Sequence, residues 1–199
     1  MGTIATLTER IGHITGELRA FSRKAGASIG PTSLNVALDG ALLLIGPRAR
    51  RQGVALVRPP ADQDVLVRAD RIRLEQVLVN LLQNAMEALE AVPDGRVIVT
   101  LQNLGTTVQL YVSDNGPGLS VDARARLFTP FYTTKPEGLG LGLVICRDIV
   151  AEFGGDLRAS HPGESDFPTP QGAQGGALFI LTLRKADASH GVSGHSFSP

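Results

Sequence analysis

The chain has 199 residues, with nineteen basic and nineteen acidic side chains and a formal charge of zero. No electrostatic footprint therefore points to a nucleic acid or an anionic membrane surface. The length accommodates one α/β domain with a filled core and a short helical extension, not two full domains. The single cysteine, Cys146, excludes a disulfide framework within the chain and fits a reducing compartment. No apolar run reaches the roughly 20 residues that span a bilayer, so the expected setting is cytoplasmic, including the cytosolic portion of a protein anchored upstream in a membrane.

Ile4, Leu7, Ile11, Ile14, Leu18 and Phe21 recur in steps of three and four, which predicts a helix over 3–24 with one narrow apolar seam. Such a seam suits one arm of a helical hairpin or dimer stalk, or packing on the chain's own domain. The stretch 25–32 reads as a hinge. "TSLNVALDGALLLIGPRARRQG" predicts a helix capped by Thr32 or Ser33, with a kink at Pro47. "VALVRP" and "DVLVRAD" read as a short hairpin of strands. Asp70 opens a third helix that ends near "VPDG", and "RVIVTLQNLGTTVQLYVSDNG" alternates as two antiparallel strands around a turn near Gly105. After a glycine-rich stretch, a helix from about Leu141 to Phe153 is stopped by Gly154 and Gly155. Strands "DLRAS" and "GALFILTLRK" follow, joined by the loop "HPGESDFPTPQGAQGG", and 186–199 has too little apolar content to fold. This order predicts an α/β two-layer sandwich with a mixed, mostly antiparallel sheet and helices on one face, preceded by the N-terminal helix.

On the helix that Asp70 opens, Leu74, Val77, Leu78, Leu81, Leu82, Ala85 and Leu89 form the core face, while Arg73, Asn80, Asn84 and Glu87 share a narrow stripe at its edge. Asn is a mediocre helix former and costly to bury without partners. Its amide oxygen is a neutral hard ligand, of the kind Mg²⁺ takes beside waters and phosphate oxygens. The same two amides would also serve to cap a loop or to hydrogen-bond across the helix edge.

In "SDNGPGLS", Asp114 ends an apolar strand, where its carboxylate can accept the exocyclic amine of a base, and Gly116 and Gly118 let a flat ring approach the backbone. Alone, the motif also reads as a turn with a solvated Asp. Gly138, Gly140 and Gly142 alternate at a helix start, where backbone N–H groups and the helix dipole make an anion site. The run has neither the "GK[ST]" of a Walker loop nor dinucleotide-fingerprint spacing. Between the glycine clusters, Phe128, Phe131 and Tyr132 suit either a mobile lid over a nucleotide or ordinary packing, and Lys135 can reach a phosphate.

Taken in order, "RLEQVLVNLLQNAMEAL", "SDNGPGLS", "LFTPFYTTK" and "GLGLGLVIC" resemble the N, G1, F and G2 boxes of the catalytic and ATP-binding domain of sensor histidine kinases. The fold is the one shared with gyrase, mismatch-repair and heat-shock chaperone ATPases. The likeness covers roughly residues 33–185 and is nearest in flavour to dicarboxylate-transport and nitrogen-regulatory sensors, whose short lids carry a similar "PF[YF]TTK". It implies ATP and Mg²⁺ as cofactors, with Asn84 as the metal ligand, Asn80 beside the phosphates and Asp114 on the adenine amine. Gly116 and Gly118 would shape the base pocket. Glu87, Phe131, Thr133, Thr134, Lys135, Gly138, Leu139, Gly140, Leu141, Gly142 and Leu143 would complete the nucleotide site, and Asn80 and Lys135 would serve catalysis.

In the ATPase branch, the residue one turn before the metal Asn is a Glu that polarises water. Here it is Asn80, whose amide cannot act as a general base. The resemblance therefore implies phosphoryl transfer to a histidine on a dimerisation hairpin and relay to a response-regulator Asp, in a protein that is a homodimer when whole. His13 is followed by Ile14 and lacks an adjacent carboxylate; "LTERIGHITGELRAFSRKAG" resembles the second helix of that hairpin, so the acceptor is expected outside this chain. His161, His190 and His195 look incidental. The alternatives from other classes are an ATPase of the gyrase or chaperone branch, a non-catalytic nucleotide-sensing module, and a serine or anti-sigma-factor kinase of the same fold.

Overall fold

The computed structural model describes residues 28–135, 138–161 and 175–186. The helix expected over 3–24, most of the loop "HPGESDFPTPQGAQGG", and His13, His190 and His195 lie outside the described residues, as does 187–199. Strand β1 (Gly30–Ser33) leads into helix α1 (Leu34–Gln52), followed by β2 (Ala55–Val57), β3 (Leu66–Ala69) and helix α2 (Arg71–Ala88). Strands β4 (Arg96–Leu104) and β5 (Thr107–Asp114), helices α3 (Val121–Arg126) and α4 (Gly142–Glu152), and strands β6 (Asp156–Ser160) and β7 (Leu178–Arg184) complete the order.

The main sheet runs β2-β4-β5-β7-β6, parallel at β2–β4 and antiparallel elsewhere. A two-stranded β1–β3 ribbon is stitched to its end by a bridge from Val67 to Lys185 and by Ala186 N donating to Leu66 O at 2.8 Å. The mixed, mostly antiparallel sheet and its helical layer are as the element order predicts. Alternate strand residues Val97 and Val99, Val108, Leu110 and Val112, and Phe179, Leu181 and Leu183 pack with the apolar faces of α1, α2 and α4 in one core. Period-two alternation on the strands and the 3.6-residue stripe on the helices make that packing possible. The opposite sheet face carries a small separate cluster of Tyr111, Leu178 and Ile180.

Three expectations are corrected. The stretch read as a hinge over 25–32 contributes residues 30–32 to β1, which pairs with β3 from Gly30↔Ala69 to Ser33↔Leu66. "VALVRP" and "DVLVRAD" do not form a hairpin, because β2 pairs with β4 and β3 pairs with β1. The chain between them satisfies the start of α1 instead of turning back. Asp64 accepts from Ser33 Oγ at 2.7 Å and from Asn35 N at 3.0 Å, and Asn35 Nδ2 donates to Ala61 O at 2.9 Å. Those bonds hold orphan donors of a helix N-terminus, where Ser33 is itself the cap and accepts from Val36 N. The third correction is α3, hidden inside the stretch read as glycine-rich. Ser120 caps it, accepting from Ala123 N at 3.1 Å. Helix α1 continues through Pro47 to Gln52. No helix among the described residues is long and apolar enough to cross a membrane.

Burial works to raise the Asp64 pKa, but hydrogen bonds from Asn35, Ser33, Val65 and Leu34 outweigh it and hold the carboxyl below its ordinary 3.8. A depressed folded pKa contributes stability above the unfolded value and loses it as pH falls through the folded one. Asp64→Ala should therefore cost about 0.5–1 kcal/mol near neutral pH, with the deficit shrinking in urea melts taken below pH 3.8.

Candidate functional site

Helix α2 is fixed on its buried side by Leu78, Leu81, Leu82 and Ala85, none more than 1% exposed. That packing presents Asn80, Asn84 and Glu87 along its half-buried edge. Asn84 Nδ2 donates to Asn80 Oδ1 at 3.0 Å, which occupies one amide donor and directs Asn84 Oδ1 the other way. There it accepts from Lys135 Nζ at 2.7 Å. The same ammonium contacts the Glu87 carboxylate. Arg48 of α1 reaches Glu87 from another side at 3.7 Å and Glu90 at 2.8 Å. The hydrogen bond across the helix edge and the outward-facing amide oxygen are thus both present in one arrangement.

A neutral amide oxygen beside a carboxylate is a hard-oxygen seat suited to Mg²⁺. A cation, the Lys135 ammonium, occupies this seat and shows that the donors fit a positive charge. Arg73, on the same stripe, does not join it. Its guanidinium pairs with Glu152 at 2.6 Å and lies 5.7 Å from the Phe153 ring centroid, tying α2 to α4.

Asp114 is the last residue of β5, on the same sheet face as Val108, Leu110 and Val112, and is 4% exposed. Oδ1 accepts from Gly116 N at 2.9 Å and from Ala177 N at 3.2 Å. Burial pushes its pKa up, against the two amides, which pull it down. The turn that follows abuts the end of α2, since a Cβ on Gly116 would lie 3.2 Å from Ala88 O. The Asp114 turn and the Asn-bearing helix therefore meet.

Two residues absent from the sequence-derived site complete this corner. Gly176 has φ +74, and a Cβ there would lie 1.9 Å from Asp114 O. Ala177 O accepts from Asp114 N at 3.1 Å, while Ala177 N donates to the Asp114 side chain. The Gly-Gly doublet before β7 was the available signal, but composition marks it only as loop. His161 also stands here. A Cβ on Gly118 would lie 3.4 Å from His161 Cε1 and 2.9 Å from Gly176 O.

The segment after α3 folds against the glycine run. Tyr132 N donates to Thr129 O at 3.1 Å, and the Arg126 guanidinium lies 4.3 Å from the Tyr132 ring centroid. Phe128 packs on the core beside Arg147, whose guanidinium is 5.0 Å from its ring centroid. Phe131 is 74% exposed with φ 65. Of the three lid aromatics, only Phe131 stands well out in solvent. Thr133 Oγ1 accepts from Lys135 N at 3.0 Å, and Gly138 N donates to Lys135 O at 3.3 Å. Thr134 is exposed.

At Gly140, with φ +67, a Cβ would lie 2.5 Å from Tyr132 O, so only glycine permits this backbone-to-backbone approach. Leu139 is half-buried, while Leu141 and Leu143 pack against the core. Helix α4 begins at Gly142 with no side-chain cap bond at Leu141. The N–H groups of an uncapped helix start, with the helix dipole, are of the kind that can receive an anion.

A buried strand-end carboxylate, a cation seat on a helix edge and an uncapped glycine-rich helix start, all on the helix-covered face of a mixed sheet, define the ATP-binding sandwich shared by kinases and ATPases. The sequence profile of the family described as "Histidine kinase-, DNA gyrase B-, and HSP90-like ATPase" matches residues 69–187, and the chain belongs to that family. It is 43% identical over 188 residues to the C4-dicarboxylate transport sensor protein DctB of Rhizobium meliloti (strain 1021), covering 94% of this chain and 28% of that protein. The chain thus spans under a third of the length of that relative. Full-length ShkA solved in complex with AMPPNP is 30% identical with a TM-score of 0.70, covering 92% of this chain and 36% of that one. Histidine kinase ThkA, solved with the response regulator protein TrrA, is 28% identical with a TM-score of 0.69, covering 92% and 49%.

Two outcomes follow from the Asp114 corner. A raised folded pKa means the native state holds its proton more tightly than the unfolded chain, so stability contributed by that group falls as pH rises from the ordinary 3.8 through the raised value. Asp114→Asn should remove this term, and the stability difference between variant and parent in urea melts should grow in the variant's favour from about pH 4 to pH 7. Gly176→Ala should cost about 1–3 kcal/mol through backbone strain and lower the Tm accordingly.

Proposed function

We propose that this chain binds ATP with Mg²⁺ and transfers the γ-phosphoryl group to a histidine on a sensor-kinase dimerisation hairpin, for relay to an Asp of a response regulator. The observation that carries the reading is the Lys135 ammonium held by Asn84 Oδ1 and Glu87, a charge seat at the edge of the same pocket as a buried Asp and an uncapped helix start. Asn84 would hold the metal, and Asn80 would orient it through the 3.0 Å amide bond. Asp114 would accept the adenine amine. The backbone N–H groups at Gly140 to Leu143 would take phosphate oxygens, Gly116 and Gly118 would shape the base pocket, and Gly176 lets the chain before β7 close on Asp114.

Bound Mg-ATP supplies a transferable phosphoryl group. The chain's own residues supply position and charge neutralisation, which are the main terms in phosphoryl transfer. Asn80 stands one turn before Asn84, where a carboxylate would be needed to activate water, so a protein imidazole is the better nucleophile. The kinship to a transport sensor and to a kinase solved with its regulator supports a two-component setting. By the same likeness, the whole protein would act as a homodimer and would present this domain to the cytoplasm, with any membrane anchor lying upstream.

Calorimetric titration of Mg-ATP into the chain, with phosphate release followed on the same samples, tests the reading. Binding is expected, weakened by about ten- to a hundred-fold in Asp114→Asn and in Asn84→Ala, with negligible phosphate release. Transfer should appear when a sensor-kinase acceptor hairpin is supplied. No binding by the folded parent would sink the proposal, and steady release abolished by Asn84→Ala would move the protein to the ATPase branch.

A further inference from the structure

We infer that Lys135 is a built-in occupant of the cation seat. In nucleotide-free protein its ammonium holds the place a metal ion takes on loading, and so tethers the segment 128–135 to α2. This inference rests on the ATP-binding reading above and adds to it a second role for Lys135.

The tether has a fixed end on each side. On α2, Asn84 is oriented by Asn80 at 3.0 Å, and Glu87 is held by Arg48 of α1. On the strap, the Lys135 backbone is bound through Thr133 Oγ1 at 3.0 Å and Gly138 N at 3.3 Å. Glycine 140 then locks the following chain against Tyr132. The lysine side chain spans the gap between these supports, with Nζ 2.7 Å from Asn84 Oδ1 and in contact with Glu87.

A Mg²⁺ ion bonds such an oxygen at about 2.0–2.1 Å. An ammonium donating to the same oxygen would stand next to a divalent charge, at a separation where repulsion survives solvent screening. The two cations are therefore alternative occupants. Displaced from Asn84 and Glu87, Lys135 has the phosphates as its new counter-ion, while Glu87 keeps Arg48. One lysine thus holds the seat before loading and neutralises the phosphates after it. The side chains of Lys135 and Glu87 are 44% and 29% exposed, so the tether is worth only a few-fold in the strap's opening equilibrium.

Hydrogen exchange of the strap, followed by mass spectrometry on peptides covering 127–135 of the whole chain without nucleotide, reads the tether directly. Glu87→Gln and Lys135→Gln should each speed exchange about two- to five-fold, and the double variant should be no faster than either single one. Added salt should bring the parent to the variants' rate. Unchanged exchange in both single variants, or additive effects in the double, would overturn the tether.

For the displacement, the parent is compared with ATP in chelator and with ATP and Mg²⁺, both at saturation. Strap exchange should differ between the two, because only the metal competes for Asn84 Oδ1, and identical exchange would overturn it. Failure of the ATP-binding reading would show as no calorimetric binding in either condition, whereas the nucleotide-free arms judge the tether by themselves.

Discussion

Everything at the site depends on one constraint, the seating of α2 against the sheet. The helix has Leu78, Leu81, Leu82 and Ala85 sealed in the core, so its rotation about its own axis is fixed by close packing. That rotation places Asn80, Asn84 and Glu87 at the border between core and cleft. A helix free to roll by half a turn would either bury these polar groups without partners, at a cost of several kcal/mol, or lose them to solvent. The core therefore orients these side chains as well as stabilising the domain, and Arg73, tied to Glu152 of α4 and to Phe153 at its end, fastens the other end of the same helix.

Asp114 belongs to the opposite side of the balance. It is an inward-facing position on β5, continuing Val108, Leu110 and Val112, and the strand ends where the alternation would next require an apolar group. A carboxylate there loses hydration, which raises its pKa, and two backbone amides recover part of the loss. An energetically unfavourable acid at the end of an otherwise apolar strand has the character of a functional group. The amide from Ala177 comes from the residue just before β7, 63 positions further on, so the pocket corner exists only once β5 and β7 have paired.

The segment between α3 and α4 shows how charge and packing divide the labour. Phe128 and Tyr132 are held by Arg147 and Arg126, while Phe131 stands in solvent and Lys135 crosses to α2. Aromatics that read equally as lid or as core in the sequence are thereby separated. Two anchor the strap, and one is exposed at its surface.

The sequence by itself marked most of the regular elements and nominated the candidate site residues. Period-two alternation marked β4, β5 and β7, the 3.6-residue stripe marked α2 and its polar edge, and the glycine spacing marked the start of α4, because these are local patterns imposed by backbone geometry. Short strands carried no such signal. Residues of β2 and β3 looked like each other's partners, and only the tertiary structure gave β2 to β4 and β3 to β1, since a strand of three or four residues is assigned by whichever edge is exposed to it. The parts of the site contributed across the fold were likewise invisible. Arg48 behind Glu87, Gly176 and Ala177 around Asp114, and the Lys135 ammonium on Asn84 are contacts between residues distant in the chain, and packing, not local pattern, decides which of many such pairs meet.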